Sequence, residues 1–424
     1  MAHQSWINYM NEPSKGSIGS VVACYIAGEA AGALMQSFIG DYLGRIRFMQ
    51  LIGMISIVPI YLSEIAAPQS RGLIGSISGC GVSLGTMASN WVGLACSYAP
   101  YGQTQWRLPL GLQIPWGLIL FIGLATFMPS SPRQLIRWGR IEDARLQFKR
   151  TRHDLNDHEA DEEFADMQSQ IEYEMRREIK SLKEVFIKYR HRALVLTGVN
   201  VIQATILFKS LGISGHTILL LVGVYGTIAF ISNVLTATLL ADQWGRRKMI
   251  LAGLSAIVVV EIYTAVMQRQ FQDTDNKLGK IFTVLGIYLF VVAFYGMLNS
   301  TTWLYGAEVL PIALRAKIMG LASASHFIVN VGITQAGPSA FANIRENYYY
   351  VFVACTSFFV VVAYFYFPRV VNINISETKQ KTLEEIAASF GDQLVLHDSP
   401  GSPFDGDVKR DNGETVHLER NKVV

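Results

Sequence analysis

Long apolar stretches alternate with short polar segments along most of the chain. The stretch from Thr217 to Leu240, for example, contains no charged residue, and a helix needs about 20 consecutive apolar residues to cross the hydrocarbon core of a bilayer. The pattern therefore predicts an all-α polytopic membrane protein. Eight full spans are expected, at residues 18–39, 73–97, 108–128, 217–240, 249–267, 281–305, 318–341 and 348–367.

Two further apolar pieces are too short to be ordinary spans. As a helix, residues 48–62 would reach only about 22 Å, against a hydrocarbon core of about 30 Å. Residues 193–208 are similarly short. Both are expected to be re-entrant, tilted or incomplete. If residues 48–62 do not cross, Arg45 and Arg71 lie on the same side of the membrane.

Basic residues in the loops set the orientation, because short loops rich in Lys and Arg stay in the cytoplasm. Residues 129–192 contain fourteen Lys and Arg residues, with apolar residues at helical intervals within 141–150 and 161–188. This pattern predicts a cytoplasmic loop with amphipathic helices near the membrane surface. It divides the chain into an incomplete first helical bundle at 1–128, the loop at 129–192, a second bundle at 193–368 and a polar cytoplasmic tail at 369–424.

The composition supports a bilayer rather than water as the solvent. Charged residues make up 16% of the chain, against about a quarter in soluble domains. The net charge of +3 and the scattered basic residues argue against nucleic acid as a partner. We find no metal-ligand spacing, nucleophile–base pair or phosphate loop, so we expect neither a metal nor a cofactor nor enzymatic activity.

Two related loops suggest that the chain is built from two similar halves. One loop reads GDYLGRIR at 40–47, and the other reads ADQWGRRK at 241–248. Each follows one apolar stretch and precedes another. The preference for basic residues in cytoplasmic loops explains the bases, but it does not explain an Asp-x-x-Gly-Arg pattern that occurs twice. Internal repeats of this kind are typical of transporters.

The loop motif resembles the hallmark motif of the major facilitator superfamily. Further segments resemble its sugar porters, namely PIYLSEIAAPQSRG at 59–72, PSSPR at 129–133, YGAEVLPIALR at 305–315 and ETKQKTLEE at 377–385. The resemblance implies two six-helix bundles with twelve spans, a central sugar site and alternating access. Compared with the family, the chain begins at what resembles the second span. Between Met54 and Pro59 the start of the third span runs directly into the end of the fourth, and the seventh span is shortened.

The resemblance also implies roles for charged residues at the cytoplasmic helix ends. These residues would form a gating network that latches the outward-facing state, or would merely anchor the helix ends. They are Asp41, Arg45, Glu64, Arg71, Asp242, Arg246, Glu308 and Arg315.

Candidate solute-binding residues come partly from the resemblance and partly from the residues themselves. Asn200 and Trp303 match family positions that contact sugar, and Gln203 and Asn299 are nearby amides that can bond to hydroxyl groups. His326-Phe327 replaces an Asn-Trp pair of the family, with Asn330 following, and Gly79 replaces a glutamine. These replacements leave room for a polyol or a cyclic acid such as quinate in place of a simple hexose.

We therefore expect a multi-pass, plasma-membrane transporter of a sugar or related polyhydroxy solute, as a facilitator or a proton symporter. Glu29 is the candidate proton site, because an ionisable residue within a span is a functional candidate; the alternative is a buried neutral acid. Two other functions stay open. One is a transport-dead truncated isoform with a structural or regulatory role, and the other is a nutrient sensor on the same fold.

Overall fold

The computed structural model describes residues 4–52, 57–66, 71–152, 155–176, 216–240, 244, 246–271, 274, 276–310 and 312–370. Within these residues the chain is helical and contains no strand. The first ten helices are α1 Gln4–Tyr9, α2 Lys15–Leu43, α3 Arg45–Ile52, α4 Ile57–Ile65, α5 Arg71–Ser97, α6 Thr104–Gly111, α7 Gln113–Thr126, α8 Pro132–Arg137, α9 Ile141–Thr151 and α10 Asp157–Arg176.

Six α-helices follow in the second half of the chain. They are α11 His216–Leu239, α12 Arg246–Phe271, α13 Lys277–Ala293, α14 Ser300–Val309, α15 Ile312–Ile344 and α16 Asn347–Val370. A π-helical segment, Phe294–Asn299, joins α13 to α14.

Seven helical stretches in the described part of the chain are long and apolar enough to cross a membrane. They match seven of the eight predicted full spans. The predicted span at 73–97 is missing from this set, although it lies within the 27-residue helix α5. Its glycines and serines lower the apolar character of α5, and several serine hydroxyls donate to carbonyls one turn earlier, such as Ser78 to Gly75 at 2.8 Å.

The predicted short piece at 48–62 is divided between α3 and α4. These helices have eight and nine residues, so neither reaches half the thickness of the hydrocarbon core at 1.5 Å per residue. The two helices pack against each other and against α2, α5 and α7. The other short piece, 193–208, lies outside the described residues.

Two pairs of helices bring the halves of the chain together. Helix α15 packs along α2, and α11 packs along α5. The backbones approach closely, because a Cβ atom on Gly320 would lie 2.8 Å from the carbonyl oxygen of Ala33. A Cβ atom on Gly226 would lie 2.7 Å from the Cα of Met87. Small residues at such contacts are typical of packing between membrane helices.

Helices α8, α9 and α10 form a separate small cluster in the predicted loop. The apolar sides of these helices meet at buried residues such as Ile136, Phe148 and Ile171. Asp161 on α10 pairs with Arg145 and Lys149 on α9 at the exposed surface. Helix α10 also contacts α15, so this cluster touches the second half of the chain.

Candidate functional site

A break between α2 and α3 places the charged loop motif. Helix α2 ends at Leu43, and Gly44 has φ of 87° and ψ of 160°, a conformation that is essentially restricted to glycine. The space beside Gly44 is also closed, because a Cβ atom there would lie 2.7 Å from Cη2 of Trp138. The motif therefore needs glycine at this position for two reasons, conformation and contact.

The break brings Asp41 and Arg45 into contact with Glu64 on α4. The guanidinium group of Arg45 donates from Nη1 to Asp41 Oδ1 at 2.7 Å and from Nη2 to Glu64 Oε1 at 2.9 Å. Arg45 is 2% exposed and Glu64 is 8% exposed. A charge with so little access to water must be paired, and here one cation bonds to two carboxylates.

Three residues in or just before helix α8 make further contacts with the same group of residues. Ser131, just before α8, donates to Glu64 Oε2 at 2.6 Å, and Arg137 pairs with Asp41 at 3.2 Å. Gln134 accepts from the backbone N–H of Arg45 at 2.9 Å and donates to the carbonyl of Asp41 at 3.3 Å. We call Asp41, Arg45, Glu64, Ser131 and Arg137 the charge network.

Sequence reasoning did not select Ser131, Gln134 or Arg137 as site residues. A serine followed by Pro132 after an apolar span indicates the start of a helix, and that signal would have located α8. It would not have shown that α8 folds back onto Gly44, because this contact is made across about ninety residues of chain.

One electrostatic interaction of the charge network reaches the second half of the chain, where Arg315 attracts the carboxylate of Glu64. Burial alone would raise the pKa of Glu64, but the cations Arg45 and Arg315 and the Ser131 hydroxyl together lower it. Arg315 lies on α15, is 1% exposed and donates to the carbonyl of Leu310 at 3.0 Å. The Glu64 carboxylate on α4 and the Arg315 guanidinium on α15 thus attract each other across the two halves.

The structure locates the other proposed network residues only in part. Arg246 begins α12 and is buried. Arg71 and Glu308 lie at the start of α5 and near the end of α14, but their side chains are outside the described part of the structure. Asp242 is not among the described residues. The association of Asp41, Arg45, Glu64 and Arg315 is therefore what the structure describes of this set.

Trp303 and His326 are brought together between α14 and α15. Their ring centroids lie 6.2 Å apart in an edge-on arrangement, and His326 also contacts Phe327 with centroids 5.0 Å apart. Trp303 is 9% exposed. Asn330, one turn after His326, accepts a hydrogen bond from Thr334 at 3.1 Å.

Asn299 is the last residue of the π-helical segment, four residues before Trp303. It is 8% exposed, and its Nδ2 has no hydrogen-bond partner within the described part of the chain. π-Helical segments are rare and frequently occur at functional sites. A buried amide with a free donor is suited to bind a hydroxyl group. Asn200 and Gln203 are outside the described residues.

A group of polar side chains near this segment was not predicted. Asn233 on α11 is 1% exposed, donates to the carbonyl of Tyr295 at 3.1 Å and accepts from Ser300 at 3.2 Å. Tyr295 meets Tyr225 edge-on, with centroids 6.2 Å apart. We call Tyr225, Asn233, Tyr295 and Ser300 the polar cluster. An asparagine within a charge-free span was the available signal.

The remaining candidate, Glu29, lies on α2 and is partly buried. Tyr25, one turn earlier on the same helix, interacts with its carboxyl group. Among the described residues, no group of three His, Cys, Asp or Glu side chains is arranged to hold a metal ion.

Comparison with known proteins identifies the family. Residues 51–390 match the family described as "Sugar (and other) transporter". The chain is 26% identical to the MFS-type transporter criB of Aspergillus cristatus, over 92% of this chain and 88% of that protein. It is 25% identical to the sugar transporter STL1 of Saccharomyces cerevisiae, over 88% of this chain and 72% of that protein.

The fold agrees with this assignment. A solved structure of the proton:xylose symporter XylE, described as a major facilitator superfamily protein, superposes with a TM-score of 0.71 and 17% identity. The match covers 89% of this chain and 91% of that chain. The chain thus belongs to the sugar transporter family of the major facilitator superfamily, whose members are membrane transporters and not enzymes.

Proposed function

We propose that the protein carries a sugar, a polyol or a quinate-like acid across the membrane by alternating access. The observation that carries this proposal is the charge network, in which Glu64 is bound by Arg45 and attracted by Arg315 of the other half. Ion pairs that join two halves in one state can be broken in another. Such a set of contacts would close one end of the carrier.

The solute would bind near the π-helical segment. Trp303 offers an aromatic face for a sugar ring, Asn299 offers a free buried donor, and the polar cluster includes residues of the segment and of the neighbouring helices α11 and α14. His326 and Asn330, with Asn200 and Gln203, complete the proposed set. Relatives of the chain include proteins named "Probable polyol transporter 6" and "Probable quinate permease", which supports the wider class of solutes.

We further propose the plasma membrane as the site of action, with the C-terminus in the cytoplasm and Glu29 as a proton-coupling residue. The basic residues of the 129–192 segment support this orientation. Uptake measured with and without a protonophore at clamped external pH tests the coupling. Uptake that is unaffected by the protonophore would contradict it.

Uptake of labelled glucose, xylose, glycerol and quinate into transporter-null cells is the direct test of function. We expect saturable uptake of at least one of these solutes. Uptake of none of them by protein that has inserted into the membrane would favour the transport-dead isoform or the sensor. The short helices α3 and α4, which cannot cross a bilayer singly, are the feature that favours this alternative.

Trp303→Ala tests the binding site once a solute is found. Loss of an aromatic contact of about 1 kcal/mol or more should raise KM at least about fivefold. Trp116→Ala is a matched control, because Trp116 is 72% exposed on α7 and should tolerate the change. Unchanged kinetics in the Trp303 variant, at equal surface expression, would reject the proposed site.

A further inference from the structure

Glu261 is a buried carboxyl group that the charge network and the polar cluster do not use. It lies within α12, a candidate span of 26 residues, and its side chain is 6% exposed. An ionised carboxylate inside a membrane protein is costly unless it is paired. The groups around Glu261 therefore determine whether its carboxyl group is protonated or ionised.

A polar neighbour of Glu261 comes from α16. The Thr356 hydroxyl on α16 is fully buried and lies near the Glu261 carboxyl group. Neither Glu261 Oε2 nor the Thr356 hydroxyl makes a hydrogen bond in the described part of the chain. One turn away on α12, the buried Ile257 and Ala265 are apolar, and the buried Thr264 hydroxyl donates to the carbonyl of Val260.

No basic side chain of the described residues forms an ion pair with Glu261. Lys277 and Lys280 begin α13, and that end of α13 meets the far end of α12, where Gly279 contacts Phe271. The ionisable groups in the middle of α13 and the π-helical segment bond elsewhere, since Tyr288 donates to the carbonyl of Leu221 and Tyr295 belongs to the polar cluster.

We propose that Glu261 is a proton-binding site of the second half of the chain. The carboxyl group is held in the acid form at neutral pH, with the unpartnered Thr356 hydroxyl as a neighbouring polar group across the contact of α12 with α16. The bound proton makes the buried Glu261 side chain neutral, so that no unpaired charge lies within the span. The site is separate from Glu29 on α2, and it does not depend on which solute the protein carries.

Infrared difference spectroscopy of the purified, reconstituted protein tests this assignment. We expect the wild-type spectrum at neutral pH to contain a protonated-carboxyl C=O band that shifts in deuterium oxide. Glu261→Gln, which preserves the size of the side chain, should remove that band. Glu29→Gln is the matched control, since it removes the other acid considered on a span and should leave the Glu261 band in place.

A second variant tests the influence of the neighbouring Thr356 hydroxyl. Thr356→Val removes the hydroxyl group and should move the C=O band of Glu261 to higher frequency without removing it. If the spectrum of Glu261→Gln instead loses carboxylate bands, Glu261 is ionised and the proposal is wrong. If Glu261→Gln does not accumulate, an unshifted band in Thr356→Val would equally overturn it.

Discussion

Single residues of the charge network combine burial with formal charge. Arg45 bonds to Asp41 and Glu64, and Ser131 occupies the second oxygen of Glu64. Replacing a buried ion pair by apolar residues can be neutral, but removing one partner leaves an uncompensated charge and is strongly destabilising. The network is therefore sensitive to single substitutions, whichever role it has in transport.

Glu64→Gln should lower the free energy of unfolding by about 3 kcal/mol or more, because the buried Arg45 and Arg315 lose a counter-charge. Chemical unfolding of the purified protein in detergent measures the change. Asp143→Asn is the control, since it breaks the exposed pair with Arg140 and should cost at most about 1 kcal/mol. Equal losses in the two variants would contradict the prediction.

The pairing of Glu64 with buried arginines also predicts how the stability of the protein depends on pH. The pKa of Glu64 in the folded protein is lowered from its ordinary value of 4.5, so the unfolded chain takes up a proton first as the pH falls. The contribution of Glu64 is fully present above the ordinary value and is lost as the pH falls through the lowered one. Thermal unfolding from pH 7 downwards should show an acid-dependent loss that is smaller in Glu64→Gln.

At the scale of helices, the α2–α3 break is the feature that assembles the network. Gln134 bonds to the last turn of α2 and to the first N–H of α3, so that α8 holds both sides of Gly44. The glycine of the loop motif was visible in the sequence. Its contacts with Trp138 and Gln134 were not, because these residues lie about ninety positions away and no local pattern encodes the contact.

Gly44→Ala should be destabilising by about 2 kcal/mol, because its backbone conformation is essentially restricted to glycine and costs other residues about 1–3 kcal/mol. The contact with Trp138 adds to this cost. Gly28→Ala is a matched control within α2, since nothing lies within 4 Å of its Cβ position. That variant should be neutral or slightly stabilising. The order of the two melting temperatures checks the prediction.

At the scale of the whole molecule, the halves meet along the contacts of α2 with α15 and of α5 with α11. Ser37 on α2 donates to the carbonyl of Lys317 on α15 at 3.0 Å. The α2–α15 contact, which we call the seam, therefore combines close packing with a hydrogen bond. Glu64 and Arg315 act across the same two halves. Any movement of one half against the other must change these contacts.

Gly320→Ala should separate α2 from α15, because the added methyl group would meet the backbone of Ala33 and Ser37 at 2.8 and 2.9 Å. Overpacking of this kind costs about 1–3 kcal/mol, and it should also slow solute uptake. Gly332→Ala, on the same helix but with open space beside it, is the control. Equal melting temperatures and uptake rates for the two variants would contradict a close seam.

The sequence by itself determined the helical membrane fold and the family. Apolar runs of sufficient length require helices in a bilayer. The repeated Asp-x-x-Gly-Arg loops can be recognised from the order of residues, with no knowledge of tertiary contacts. The spans at 217–240 and 249–267, for example, reappear as α11 and within α12. Local patterns suffice for these features because the bilayer acts on each segment separately.

Only the tertiary structure decided which of these residues meet. It joined Arg45 to Glu64 and to α8, placed Trp303 against His326, and revealed Asn233, Tyr295 and the polar neighbour of Glu261. It also divided residues 48–62 into two short helices. The physical reason is that ion pairing and close packing depend on distances across the chain, which the order of residues along it does not contain.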